Sequence, residues 1–183
     1  MTVDRASAVA RPLPTSLGGW LTLGWGVGGV LLLFGRAIWR MVGVTAQLEV
    51  GTLGLWHVGF AVLWTAFMAY SEGYRAFQLK FAPRVVKRAL WLANERRPWL
   101  SLVAPMFCMG LVHATRKRLI VSWSVVTLIV FLIVGVRTLA QPWRGLVDAG
   151  VVVGLAWGVV AIVGVAVQAL RGRSIPGELD LPS

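Results

Sequence analysis

Three side chains have the types and positions that acid–base chemistry requires: Glu72, His113 and Asp148. Glu72 follows a long apolar run and precedes Arg75 by three residues, so the two side chains could pair on one helix. Asp148 opens the last apolar run, four residues after Arg144. A carboxylate in such a place can be a general base, a proton or cation site, or half of a structural ion pair. We expect any catalytic or coupling role to fall on Glu72, His113 or Asp148, with the structural alternative left open.

Basic side chains between the second and third apolar runs could bind an anion. A helix that starts near Pro83 would place Arg84, Lys87 and Arg88 on one side and apolar residues on the other. This pattern is typical of a helix on an anionic membrane surface, where each basic residue contributes about 1 kcal/mol of attraction. We expect Arg75, Arg84, Lys87 and Arg88 to bind lipid phosphates, unless they serve only to set topology and anchor the loop.

Metal and cofactor chemistry finds little support in the sequence. The two histidines, His57 and His113, are predicted to lie near opposite faces of the membrane, which argues against a shared haem or metal ion. The single cysteine, Cys108, has no C-x-x-C partner and sits in an apolar segment, where a thiol usually packs without reacting. No nucleotide-binding or hydrolase motif is found. We therefore expect no metal and no cofactor.

The elements that position these residues are long apolar runs. Of the 183 residues, 57% are hydrophobic and 14% are charged, against about 45–50% and about 25% in soluble domains. Four runs contain few or no charges: 17–35, 52–71, 119–136 and 146–170. Each is long enough, at about 1.5 Å per residue, to cross most of a hydrocarbon core about 30 Å thick. The sequence predicts a single all-α membrane domain with about four spanning helices.

The segment 99–113 is apolar but short, because as a helix it would reach only about 22 Å, and it contains Pro105. If it does not cross the membrane, fourteen of the 18 basic residues share one side with both chain termini and the loop 72–118. The positive-inside rule then makes 72–118 a basic cytoplasmic loop and both termini cytoplasmic. We expect 99–113 to be either a re-entrant or an interfacial segment.

The net charge of +11 follows this topology, and no nucleic-acid-binding signature accompanies it. Glycines spaced four apart predict close helix packing in the last run, at Gly150, Gly154 and Gly158, and in the first, at Gly24 and Gly28. Such a face can serve packing within the chain, or it can join a membrane-protein partner or a second copy. Anionic lipids are the other partners we expect.

Three strings give the chain a family resemblance: EGYRAFQ at 72–78, APMFCMG at 104–110 and QPWRG at 141–145. Together they resemble a family of small bacterial multipass membrane proteins with no assigned activity. The resemblance implies an inner-membrane location and no catalytic role. The leading expectation is a non-catalytic accessory or anionic-lipid-associated protein. A small proton- or cation-coupled carrier and an enzyme acting on a lipid phosphate are the alternatives.

Overall fold

The computed structural model describes residues 13–47, 53–95 and 97–175, and every element in these ranges is helical. Residues 1–12 and Arg96, which contribute to the charge argument, lie outside the described residues. The elements are α1 Leu17–Thr45, α2 Leu55–Met68, the π-helix π1 Ala69–Phe81, α3 Ala82–Asn94, α4 Pro98–Leu102, α5 Ala104–Cys108, α6 Arg116–Arg137 and α7 Trp143–Leu170.

Three helices, α1, α6 and α7, are long and apolar enough to cross a membrane. They contain the predicted runs 17–35, 119–136 and 146–170, so the all-α membrane prediction is confirmed for these three. The run 52–71 does not form one long α-helix, because α2 is only 14 residues long and a π-helix follows it. Length and composition therefore identify three spanning helices, and the fourth predicted span is not confirmed.

The second run instead begins a continuous helical rod formed by α2, π1 and α3 without a break from Leu55 to Asn94. The rod runs parallel to α7. Near the start of α7, Trp64 donates an indole hydrogen bond to the Val147 carbonyl oxygen over 3.1 Å. Farther along, Phe77 packs on Gly158, where an added Cβ would lie 2.9 Å from the Phe77 ring. The predicted end of this span at residue 71 is therefore not the end of a helix.

The same rod runs antiparallel to α1. The rings of Phe81 and Phe34 stack with centroids 5.7 Å apart. Beyond them Ala89 lies against Gly26, and the carbonyl of Ala93 approaches Gly19. Three long elements, α1, the rod and α7, thus pack side by side.

The middle of the rod faces the bundle through Gly73, Phe77 and Phe81. Gly73 packs on Trp157, and both phenylalanine rings meet Phe34. These residues recur every four positions, and residues four apart lie on one side of a helix. The spacing therefore gives this part of the rod one face toward α1 and α7.

The apolar face of α3 is part of the protein core. Val85, Val86 and Leu90 are buried against α1, α5 and α7, and Arg88 is buried with them. The sequence predicted that this face would lie on a membrane surface. In the structure it packs against protein because the rod brings α3 alongside α1.

Segment 98–113 forms a hairpin along α1, built from the short helices α4 and α5. Trp25 donates an indole hydrogen bond to the Leu102 carbonyl oxygen over 3.0 Å. Pro105 then packs directly on Gly29. The chain turns back so that Cys108 Sγ would lie 3.0 Å from a Cβ added at Gly26.

This packing corrects the glycine prediction for α1. An added Cβ at Gly24 or Gly28 would meet nothing within 4 Å, whereas Gly26 and Gly29 receive the hairpin. The hairpin packs on the face of α1 that carries Gly26 and Gly29. The four-residue spacing of Gly24 and Gly28 did not identify this face.

Helix α6 stands largely apart from this bundle. Ser122 is its single buried residue in the described chain, and its many apolar side chains are exposed. Its Trp123 donates to the Leu111 carbonyl oxygen over 3.2 Å, which ties the start of α6 to the hairpin. An apolar helix in this position is suited to contact lipid on most sides.

Candidate functional site

Arg88 lies at the centre of the α3–hairpin junction, with no exposed surface. Its Nε donates to the Phe107 carbonyl oxygen over 2.6 Å, and Nη2 donates to the carbonyls of Val112 and His113 over 3.0 and 2.9 Å. Its guanidinium also lies 4.1 Å from the Phe107 ring centroid. Carbonyls at the end of a helix lack intrahelical partners, and a cation is favoured there. Arg88 thus holds the hairpin in place and, being buried, does not face a headgroup.

Cys108 packs beside this arginine and is fully buried. Burial raises the pKa of the Cys108 thiol to about 12, against the smaller opposing effect of the Arg88 charge. The thiol is therefore protonated at neutral pH. It acts as a small packing group against Gly26.

His113 ends the hairpin beside a rim of aromatic and basic side chains, which are Trp91, Arg97 and Trp99. Its ring centroid lies 6.4 Å from that of Trp91 and 6.4 Å from that of Trp99. Burial lowers the pKa of His113, and the charges of Arg97 and Arg88 lower it further. The imidazole is thus favoured in its neutral form at neutral pH.

Glu72 and Arg75 lie on the outer side of π1, and both are exposed. An added Cβ at Gly154 would lie 3.2 Å from the Glu72 Cβ, which places Glu72 beside the middle of α7. No ion pair joins Glu72 to Arg75 in the described chain. Tyr70 and Tyr74, which also belong to π1, stack with ring centroids 6.1 Å apart, and they are 59% and 40% exposed.

The exposed polar side chains of π1 from Tyr70 to Gln78 form what we call the π1 polar face: Tyr70, Glu72, Tyr74, Arg75 and Gln78. Gln78 Oε1 accepts a 2.7 Å hydrogen bond from the indole of Trp157, which ties π1 to α7. The exposed surface of π1 is therefore polar and aromatic.

Asp148 occupies a different place, buried in the first turns of α7. The cations that act on it are Arg144 and Arg40. The structure does not bring the three candidate residues together, because Asp148 lies near Arg40, Glu72 beside Gly154 and His113 at the end of the hairpin. Neither an acid–base pair nor a carrier pathway is assembled from them.

The remaining predicted anion ligands, Arg84 and Lys87, are half-buried on α3, and each makes a polar or electrostatic contact. The glycines predicted for oligomerisation are occupied within the chain: Trp64 packs on Gly150, and Phe77 on Gly158. A shallow groove of about 680 Å³ lies on α1 away from the candidate residues. It is lined by Gly28, Leu31, Leu32, Gly35, Arg36 and Trp39.

No protein-family model, curated protein or solved structure matches this chain. The family resemblance therefore stays a prediction. Each of its three strings nevertheless marks a packing point: 72–78 lies on α7, and 104–110 lies on α1. In 141–145, Gln141 Oε1 accepts a 3.2 Å hydrogen bond from the Gly145 amide, and Trp143 packs on His57 with centroids 4.9 Å apart.

The stack of Tyr70 and Tyr74 was missed from the sequence, although a spacing of four residues on one helix was a usable signal.

Proposed function

We propose that this protein is a non-catalytic accessory subunit of the bacterial inner membrane, which binds a partner membrane protein through the π1 polar face. The observation that carries the proposal is the level of Glu72 and Arg75 beside the middle of α7. Carrier and lipid-phosphate enzyme functions gain no comparable support, because no pair of candidate residues is assembled.

The depth argument starts from α7. No charged residue lies between Asp148 and Arg171, so a hydrocarbon core of about 20 residues must include Gly154 and Gly158. At about 1.5 Å per residue, these glycines lie about 17 and 23 Å along a helix of about 41 Å. Glu72 packs at the first level and Phe77 at the second. The residues between them, including Arg75, then lie at hydrocarbon depth.

Lipid is a poor neighbour for these side chains. An acidic or basic residue at the centre of a bilayer costs about 2.5–3.5 kcal/mol on insertion scales. Such residues face protein or a water-filled cavity instead. The exposed tyrosine stack adds aromatic surface to the same helix, and the groove on α1 lies elsewhere. A partner helix that carries polar side chains fits this surface, since polar groups hydrogen-bond across helices in membranes.

The same placement supports a four-crossing topology. In it the rod is the fourth crossing and the hairpin is re-entrant, since Pro105 packs on Gly29, about 18 Å along α1 from Leu17. Broken helices at this depth must be covered by protein. Arg88 donates hydrogen bonds to the carbonyls of Phe107 in α5 and of Val112 and His113 after it. The positive-inside rule then supports cytoplasmic termini.

Site-specific photo-crosslinking in native membranes tests the proposal. A photoreactive phenylalanine replaces Tyr70, Tyr74 or, as a control, Phe131, which is exposed on α6. We expect positions 70 and 74 to capture the same membrane protein and position 131 to capture lipid. Replacing Glu72 and Arg75 together by Leu should abolish that capture. Crosslinks from 70 and 74 to lipid alone, or to a second copy of the chain, would contradict an accessory role.

A further inference from the structure

At the open end of the hairpin, where the chain enters at Arg97 and leaves at His113, basic and aromatic side chains surround the His113 imidazole. Besides Trp91 and Trp99, the Phe107 ring lies near His113, with centroids 6.3 Å apart. Arg97 reaches over Trp91, its Cζ 5.9 Å from the ring centroid. Because Arg97 belongs to the chain entering α4 and His113 follows α5, the hairpin fold brings the two basic groups together.

The backbone of His113 is held in an unusual conformation. Its φ is +48°, a backbone angle that residues other than glycine adopt infrequently. The hydrogen bonds from Arg88 to the carbonyls of Val112 and His113 fix this turn. Strained residues that the surroundings hold in place are often found at binding sites. Here the turn leaves the imidazole beside the rings of Trp91 and Trp99.

The electrostatics of the rim favour an anion. The charges acting on His113 are those of Arg97, which is exposed beside it, and Arg88, which lies beneath it in α3. Within the described chain the imidazole makes no hydrogen bond and the Arg97 guanidinium makes no ion pair. Donors and positive charge are therefore present without a protein acceptor.

We infer that Arg97 and His113 bind the phosphate of an anionic lipid headgroup, with Trp99 beside its glycerol region. The aromatic and apolar surroundings favour a lipid over a free phosphate ion, because Trp99 and Leu102 of α4, the helix that follows Arg97, are 55% and 77% exposed. Indole rings prefer the headgroup zone of a bilayer. A proton on His113 adds positive charge to the site, so binding strengthens as the pH falls.

Native mass spectrometry of the full chain in detergent, with phosphatidylglycerol or phosphatidylcholine added, tests this site. We expect the double variant R97Q/H113Q to retain phosphatidylglycerol at least about fivefold less well at neutral pH, since Arg97, which is charged there, contributes about 1 kcal/mol near an anionic lipid. The matched control R171Q/R173Q removes two exposed cations beyond α7 and should stay within about twofold. Equal losses in both variants would reassign the effect to general surface attraction and overturn the site.

Two further arms keep the result interpretable. Phosphatidylglycerol retention by the wild type should rise between pH 8 and pH 5.5, and H113Q should abolish that rise. Saturable binding of inorganic phosphate that phosphatidylglycerol does not compete away would overturn the lipid assignment. If H113Q fails to fold, R97Q alone carries the test, because Arg97 is exposed. The isolated chain is used, so the result is independent of the accessory-subunit proposal.

Discussion

The Cβ of Glu72 packs against Gly154, and a Cβ added to that glycine would lie 3.2 Å from it. The contact carries a carboxylate to the middle of an apolar helix. It is a close contact, since a Cβ at position 154 would require its neighbours to shift by a few tenths of an ångström. A charged side chain at this level is what motivates the proposed protein partner of π1.

The hairpin contact with α1 should be visible in a pair of neighbouring glycine variants. At Gly29 an added methyl group would overlap the ring of Pro105, whereas at Gly28 it would meet nothing within 4 Å. We expect G29A to lower stability by about 1–3 kcal/mol through overpacking. G28A should be neutral or slightly stabilising, because alanine favours a helix. Thermal unfolding in one detergent measures both, and equal melting temperatures would contradict the packing.

Cys108 should be unreactive in the folded protein. Its thiol is buried, and its pKa of about 12 leaves about one molecule in 10⁴ as thiolate at pH 8. Maleimide labelling at pH 8 should therefore be negligible until the protein is denatured. Rapid labelling of the native protein would mean that the hairpin is not seated on α1.

Arg88 should be essential for hairpin stability. Replacing it by Gln leaves buried carbonyls without full partners and should cost about 3 kcal/mol or more. Lys keeps the charge but lacks the planar fork, so R88K should rescue stability only in part. Proteolysis between α4 and α6 reports the loosened hairpin. A fully stable R88Q protein would show that the three hydrogen bonds contribute little.

His113 should make stability depend on pH. Its folded-state pKa is lowered, by burial first and then by Arg97 and Arg88, so the unfolded chain binds a proton more readily than the folded one. Stability should then fall as the pH drops below about 6.5, until the lower folded-state pKa is passed. Melting temperatures of lipid-free wild type and H113Q, compared from pH 8 to pH 5, isolate this effect. Parallel curves would refute it.

The apolar runs allowed much of the fold to be predicted. Three spans were located correctly because hydropathy selects residues directly for contact with lipid. Close packing at Gly154 and Gly158 also followed from spacing alone, although the sequence could not say which element would fill those glycines.

The rest depends on relations that one-dimensional patterns do not contain. Charge suggested that the second span ends before Glu72, yet the helix continues through π1, where Gly73 and Phe77 pack on α7. The basic pattern of α3 suggested a membrane surface. Whether its apolar face meets lipid or protein depended on the packing of α3 against α1 and the hairpin, where Arg88 of α3 lies buried.

The depth of π1 in a bilayer tests the account most directly. Spin labels are placed at R75C and, separately, at R97C in a C108A background reconstituted in lipid, and their accessibility to oxygen and to a water-soluble relaxant is compared. We predict that the label at position 75 lies at least about 10 Å below the headgroups, and that the label at position 97 lies among them. Labels at equal, shallow depth would contradict a membrane-embedded polar face.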